Sequence, residues 1–590
     1  MDTQLKFIVK LIDGTTQEIE LKNNEIAKTF QKREDIISIA IPNGIERISN
    51  YAFQGCCNLE EVVIPNSVKS IGEGAFSGSG LKNLIIPKSV ENIGNYAFYG
   101  CGNLKELTIP SNVNNIGEHT FRACCNLEKL AISKNIITIE NYAFHNCAKL
   151  SHFVCYDATN ADYNALDKLI VPPNVTSIGE GAFDGCKNLK SIVLPSNLKY
   201  LGKNAFRYCE SIHFNEYDNA YYIGNDKNPY FVLVQAKSKE ITSCNINENT
   251  EFICSSAFEK CVNLTKITIP NSVKSIGESV FEKCESLEQV DLPNNATEIP
   301  AFLFQKCGKL KKITIPESVK KIGRAAFGEC ASLTNIKFPD NLEFIDVGAF
   351  VQCRGLLQIN LPNSITTIEW AAFSQCSALK NVTLSENLTD IGPDVFSGCE
   401  SLTSIEIPEK VVNIGYWAFG ACKNLKSVKL PKKLEIIHQS AFCGCSSLTE
   451  LDLPSTITVI GNEAFYKCSA LKSINISDNI ERIWANTFRD CSELVDVKLP
   501  NNLQIISEKA FSGCSKLANI KFPNNLKTIE ANAFYGCCEL TEITLPDSIE
   551  VIGDKAFASC KNLKKVFLPN KDIDIGEKAF KSSIKFYEKN

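Results

Sequence analysis

The chain has 590 residues, of which 44% are hydrophobic and 22% charged, and its formal net charge is −5. That length exceeds what one compact core supports, and the charge balance gives no reason to expect nucleic acid or an anionic membrane as partner. No apolar run reaches the ~18 residues of a membrane span, so no membrane insertion is expected.

In chain order, the N-terminus offers no basic leader. Met1-Asp2-Thr3-Gln4 is followed by apolar positions that Lys6 and Lys10 interrupt, so the sequence reads as cytoplasmic. Lys6–Leu11 and Thr16–Leu21 alternate around Asp13-Gly14, a hairpin signal, and residues 1–29 are expected to form an N-terminal cap. From Phe30 a repeat begins, with phenylalanine at 53, 76, 98, 121, 144, 183 and 206. Residues 30–209 form this first array, with a loop expected at 156–165 where the spacing stretches to 39. Residues 210–252 break the pattern. Two aromatic, β-prone runs flank Gly224–Pro229 there, which predicts a hairpin insert. From Phe258 phenylalanine recurs every 23 residues as far as Phe580, so residues 253–583 form a second, regular array, and 584–590 a C-terminal cap or tail.

Other positions share the register. Cys lies three after the Phe and Leu six after it, with apolar residues at nine and eleven, Pro at twelve, and later Ile-Gly and Ala-Phe. The unit is L-x-x-[IV]-x-[IL]-P-x-x-[VIL]-x-x-I-G-x-x-A-F-x-x-C-x-x. L-x-x-I-x-I predicts one short strand per coil, pairing in parallel with its neighbours, and Pro ends the ladder where its missing N–H matters least. The Ile-Gly step is expected to turn the chain through positive φ. A-F-x-x-C reads as a short helical or 3-10 return arm. The expected fold is therefore an α/β repeat solenoid, an arc of stacked coils. Its structural core includes Phe281, Phe304, Phe327, Phe350 and Phe373 with Cys284, Cys307 and Cys330.

This unit closely resembles the Treponema pallidum-type leucine-rich repeat of BspA-like proteins, over residues 30–583, because Leu, Pro, Ile-Gly, Ala-Phe and Cys all fall in register. The resemblance implies a leucine-rich-repeat arc and a protein ligand, a host matrix or cell-surface protein among the candidates, with adhesion as the function. It also makes the cell surface an alternative location. An intracellular scaffold in a reducing cytoplasm is the other reading.

Candidate chemistry is sparse. Twenty of the 27 cysteines share the column three after the Phe, where free Cys packs as a small hydrophobe. No C-x-x-C and no paired Cys/His spacing points to a metal, and His119, His145, His152, His213 and His438 sit in no nucleophile or H-E-x-x-H motif. We therefore expect no catalytic residues, no metal, no cofactor and no enzyme activity. Two binding surfaces are expected instead. One is the outward strand column ten after the Phe, including Thr268, Thr314, Lys337, Asn360, Thr383 and Lys429, on the concave face of the arc. The other is the insert, where Tyr217, Tyr221, Tyr222, Tyr230 and Phe231 concentrate the aromatic side chains favoured at interfaces.

Overall fold

The computed structural model describes residues 5–21, 29–156, 169–570 and 572–588. The chain divides into two compact units. Unit 1 is Met1–Lys237 with Cys244–Ala257 and Ser272–Glu278, and unit 2 is Ser238–Ser243 with Phe258–Asn271 and Ser279–Asn590. Both are built from stacked coils.

Most regular coils contribute two strands rather than one. The first is the expected L-x-x-I-x-I segment, such as Lys266–Thr268, whose residues face those of Gln289–Asp291 in parallel register, Ile267 opposite Val290. Its burial alternates exposed–buried–exposed, the pattern of a half-buried sheet. The second strand is two residues long and ends on Ile, such as Glu298–Ile299, which pairs with Lys321–Ile322. Pro closes the first strand and starts the connecting turn, its carbonyl accepting the amide three residues on, as Pro316 does from Val319 at 3.1 Å.

The return arm is the second correction, because the expected helix or 3-10 segment is not formed. From Phe53 onward no return arm among the described residues contains a helix. The cause is two left-handed residues per arm, one two positions before the Phe and one two after it. In the arm of Phe373 these are Ala371 (φ 55°) and Gln375 (φ 60°). A helix cannot pass through αL at every fourth residue. Alternate amides of the arm point to the next coil instead. Ala371 donates to Pro393 at 3.0 Å, Phe373 to Val395 at 3.0 Å and Gln375 to Ser397 at 2.6 Å, so the arms make a third hydrogen-bonded ladder.

The Ile-Gly glycine also has a different job from the one expected. Gly277 and Gly323 do not take positive φ. A Cβ at Gly277 would lie 2.3 Å from the Ser255 nitrogen, and one at Gly323 2.7 Å from the Ala301 nitrogen. These glycines let one coil's backbone settle on the next.

Inside, the phenylalanines stack coil on coil. Phe350 and Phe373 have centroids 5.3 Å apart and planes 3° from parallel, and Phe281, Phe304, Phe327, Phe350, Phe373, Cys284, Cys307 and Cys330 are all fully buried. The N-terminal hairpin, Leu5–Leu11 antiparallel to Thr16–Leu21, adds Phe7 to the end of the unit 1 stack, 5.3 Å from Phe30. In the long interval of unit 1, Phe144 stacks directly on Phe183 at 5.3 Å. His152–Tyr156 and Leu169–Ile170 both join the first sheet there, while Thr138–Ile139 pairs directly with Ser177–Ile178 in the second. The expected loop at 156–165 lies, beyond Tyr156, outside the described residues.

Candidate binding surfaces

In unit 2 the outward column of the first sheet is polar. Thr268, Thr314, Lys337, Asn360, Thr383 and Lys429 are all exposed. Neighbouring coils tie several of them into ladders: the Thr268 hydroxyl donates to Asp291 at 3.0 Å, Lys337 pairs with Glu317 at 3.3 Å, and Lys429 pairs with Glu406. Ion pairs this exposed to solvent add little to stability. The structure brings these residues into one row without converging them on a pocket.

The insert is a three-stranded antiparallel meander. Asn215–Tyr217 pairs with Ala220–Ile223, which pairs with Val232–Ala236, and the last strand continues in parallel into Phe252–Ile253. Tyr217, Tyr222 and Tyr230 come together, with Tyr217 and Tyr222 each within 5.5 Å of Tyr230. Tyr221 packs on Phe214 instead, at 5.4 Å. Two members of the expected set are not surface residues. Tyr222 is fully buried, its hydroxyl accepting the Asn247 amide at 3.4 Å, and burial pushes its pKa up. Phe231 is 2% exposed and packs edge-on against Phe252. Both rings anchor the meander to the core, and of the five only Tyr217 is classed as exposed, at 39%.

Sequence reasoning missed a third surface. In unit 1 the same outward column is mostly apolar, Thr108 excepted. Register places Ile8 opposite Ala40, Ala40 opposite Val63 and Val63 next to Ile85. Ile8, Val63 and Ile85 are 50%, 56% and 84% exposed. The column continues through Val154, Ile170 and Val193, all part-exposed. The signal was present in the strand register, at the position before the last apolar residue of each first strand, but it appears only when the two arrays are compared position by position.

Among the described residues no group of three His, Cys, Asp or Glu is placed to hold a metal ion. The histidines are spread along the coils. His119 is stacked between Tyr96 and Tyr142 at 4.7 and 5.2 Å, and His145 lies 3.6 Å from the buried Asp184 carboxylate, which Arg207 also contacts at 2.7 Å. In the thiol column, Cys353 donates to the Phe327 carbonyl at 3.0 Å, Cys376 to Phe350 at 3.2 Å and Cys399 to Phe373 at 3.3 Å. Burial pushes the Cys376 pKa up to about 12, so the thiol stays protonated and unreactive.

Six copies of the model for the BspA type leucine-rich repeat region match, over residues 25–151, 160–227, 235–356, 297–426, 372–495 and 481–588. No curated protein matches the chain. Among solved structures, a leucine-rich repeat protein from Bacteroides ovatus is 28% identical, covering 64% of this chain and 97% of its own with a TM-score of 0.49. A leucine-rich cell surface protein from Faecalibacterium prausnitzii is 23% identical, covering 65% and 93% with a TM-score of 0.29. The T. pallidum leucine-rich repeat protein is 23% identical, covering 37% and 83% with a TM-score of 0.22.

Proposed function

Because this chain belongs to the BspA-type leucine-rich repeat family, we propose that it is a non-enzymatic, protein-binding solenoid of the adhesion or host-interaction kind. The observation that carries this reading is the aliphatic row Ile8–Ala40–Val63–Ile85 on the outward sheet face of unit 1. Aliphatic side chains held in register on an exposed sheet gain only modest cross-strand contacts within the chain, and exposed apolar patches of this kind mark contact surfaces. The polar row of unit 2, with Thr268, Thr314, Lys337, Asn360, Thr383 and Lys429, is a separate surface rich in hydrogen-bonding groups. Tyr217 extends the available aromatic surface at the insert. The partner is a protein, of the host-matrix or cell-surface class.

The test is capture of a panel of extracellular-matrix proteins by the full chain and by Val63→Asp/Ile85→Asp. Loss of capture in the variant, with an unchanged circular dichroism spectrum, supports the reading. Equal capture by both proteins removes the apolar row from the function.

The buried thiol column favours a second reading, an intracellular scaffold using the same faces in a reducing compartment. Protease shaving of intact cells separates the two. Peptides released without lysis markers support the adhesin, and complete protection supports the scaffold.

A further inference from the structure

All three tryptophans of the chain, Trp370, Trp417 and Trp484, lie in unit 2 at the corner between the second strand and the return arm, 55%, 39% and 39% exposed. Trp370 and Tyr416 occupy the same register position two coils apart, three residues before Phe373 and Phe419, with Pro393 at that position in the coil between. Two coil spacings are roughly 10 Å. The corner is held as a unit. The Trp370 indole N–H donates to Asp394 at 3.0 Å, and the Asp394 amide donates to the Tyr416 carbonyl at 2.8 Å. One side of the Tyr416 ring packs against His438, tilted by 30° with the centroids 4.7 Å apart. The Trp417 ring lies over Gly420, where a Cβ would come within 2.4 Å of it.

Three other rings that reach the surface are used differently. Arg482 lies over Trp484 at 4.6 Å, Arg207 over Tyr208 at 4.9 Å, and both Lys467 and Arg489 over Tyr466 at 5.0 and 5.4 Å. Each takes a cation from its own chain. Among the described residues no lysine or arginine lies over Trp370, Tyr416 or Trp417. The sequence explains this: the four consecutive corners and arms at 369–375, 392–398, 415–421 and 438–444 contain no lysine or arginine at all. They do contain the carboxylates of Glu369 and Asp394, both part-exposed. Electron-rich ring faces beside carboxylates, with no cation of their own, make a patch complementary to positive charge.

We propose that Trp370, Tyr416 and Trp417, with Glu369 and Asp394, form a docking site for arginine side chains on a basic segment of a protein partner. Arginine fits better than lysine because its planar guanidinium stacks on a ring while its N–H groups reach a carboxylate. Two arginines on one extended segment bracket the spacing of Trp370 and Tyr416, since same-face residues of a strand lie about 7 Å (i, i+2) or about 13 Å (i, i+4) apart and the long side chains make up the difference. This site is separate from the aliphatic row of unit 1, so it stands or falls independently of the matrix-capture experiment.

The test uses the full-length chain and a fluorescein-labelled hexa-arginine peptide, read by anisotropy, with quenching of tryptophan emission as a second signal. Hexa-lysine, hexa-glutamate and a neutral cello-oligosaccharide are the comparison ligands. We expect hexa-arginine to bind more tightly than hexa-lysine, and binding to weaken as salt is raised. Trp370→Ala/Trp417→Ala is expected to reduce affinity about tenfold or more, a loss of roughly 1.4 kcal/mol. Asp394→Asn should reduce it several-fold, and Trp484→Ala should leave it unchanged. If the double alanine variant loses its circular dichroism signal, Trp370→Phe/Trp417→Phe keeps rings in place and is expected to retain most of the binding. Equal affinity in the wild type and a folded double alanine variant overturns the proposal. So does binding of the cello-oligosaccharide with none of hexa-arginine, which would make the corner a sugar platform.

Discussion

The thiol of Cys353 donates a hydrogen bond to the main-chain carbonyl of Phe327, 26 residues earlier, with the sulfur 3.0 Å from the oxygen. The contact recurs along both arrays, so a column cysteine crosses from its own coil to the phenylalanine of the coil before, Cys261 excepted, which faces the Ser238 carbonyl. A small buried donor fits this position, and neither alanine nor valine occupies it in any coil. Where the column departs from cysteine in unit 1, Ser79 stands there, 3% exposed and in contact with Cys101 at 3.3 Å.

Replacing the donor tests this directly. Cys353→Ala removes the S–H and leaves the Phe327 carbonyl with the Cys330 amide alone. The expected cost is about 1–2 kcal/mol. Cys353→Ser keeps a donor and should cost less, and urea denaturation of the two variants measures the difference. Alanine as well tolerated as serine would mean that the column is simple packing. In the native wild type, a thiol reagent should modify Cys57 and Cys125, the exposed cysteines, far faster than any buried column member.

Much of the fold was legible in the sequence because inward positions repeat with their side chains. Phe, Cys, Leu and Ile each report one buried site per coil. The return arm was not legible, because its conformation is imposed by backbone pairing and not by residue type. Trp417, Lys467, Glu463 and Tyr142 all adopt positive φ there, although their side chains disfavour it. The second strand, two residues long, is too short to show a period. In the insert, an aromatic run cannot say which rings point inward, so Tyr222 and Phe231 read as surface when they are core. The apolar row of unit 1 was visible in principle, since Val63 and Ile85 stand where unit 2 has Thr268 and Lys337.

The left-handed residues make an opposed pair of predictions. Gly536 has φ 76° and no atom within 4 Å of the place a Cβ would take, so Gly536→Ala meets only the backbone penalty, about 1 kcal/mol. Lys509, at φ 56°, already bears that strain, and Lys509→Gly should be stabilising or neutral, a gain of up to about 1 kcal/mol. Thermal melts of both variants decide it. Destabilisation by Lys509→Gly comparable to that of Gly536→Ala would show that the arm does not store this strain.

Phe373 stacks between Phe350 at 5.3 Å and Phe396 at 5.8 Å, fully buried. Phe373→Ala should cost roughly 3–5 kcal/mol. Because coils touch mainly their neighbours, the loss should stay near this coil. Hydrogen exchange should show lost protection in the arms of Phe350, Phe373 and Phe396, with the arm of Phe534 unchanged. Uniform loss of protection across unit 2 would contradict nearest-neighbour stacking.

Acid should loosen unit 1 through His119. The residue is 8% exposed, and burial lowers its pKa below the usual 6.5; Arg122, whose guanidinium is 3.3 Å from Nδ1, acts in the same direction. Glu118, 3.4 Å from Nε2, opposes them without prevailing. His145, also lowered chiefly by burial, adds to the effect. A histidine that resists protonation when folded binds its proton more readily when unfolded. Its contribution is therefore whole above about pH 6.5 and is lost as pH falls from there towards the folded-state pKa. His119→Phe keeps a ring between Tyr96 and Tyr142 and removes the titration. Between about pH 7 and pH 5.5, the wild type should lose more stability in urea than His119→Phe does. Parallel pH profiles for the two proteins would show that His119 is not the group responsible.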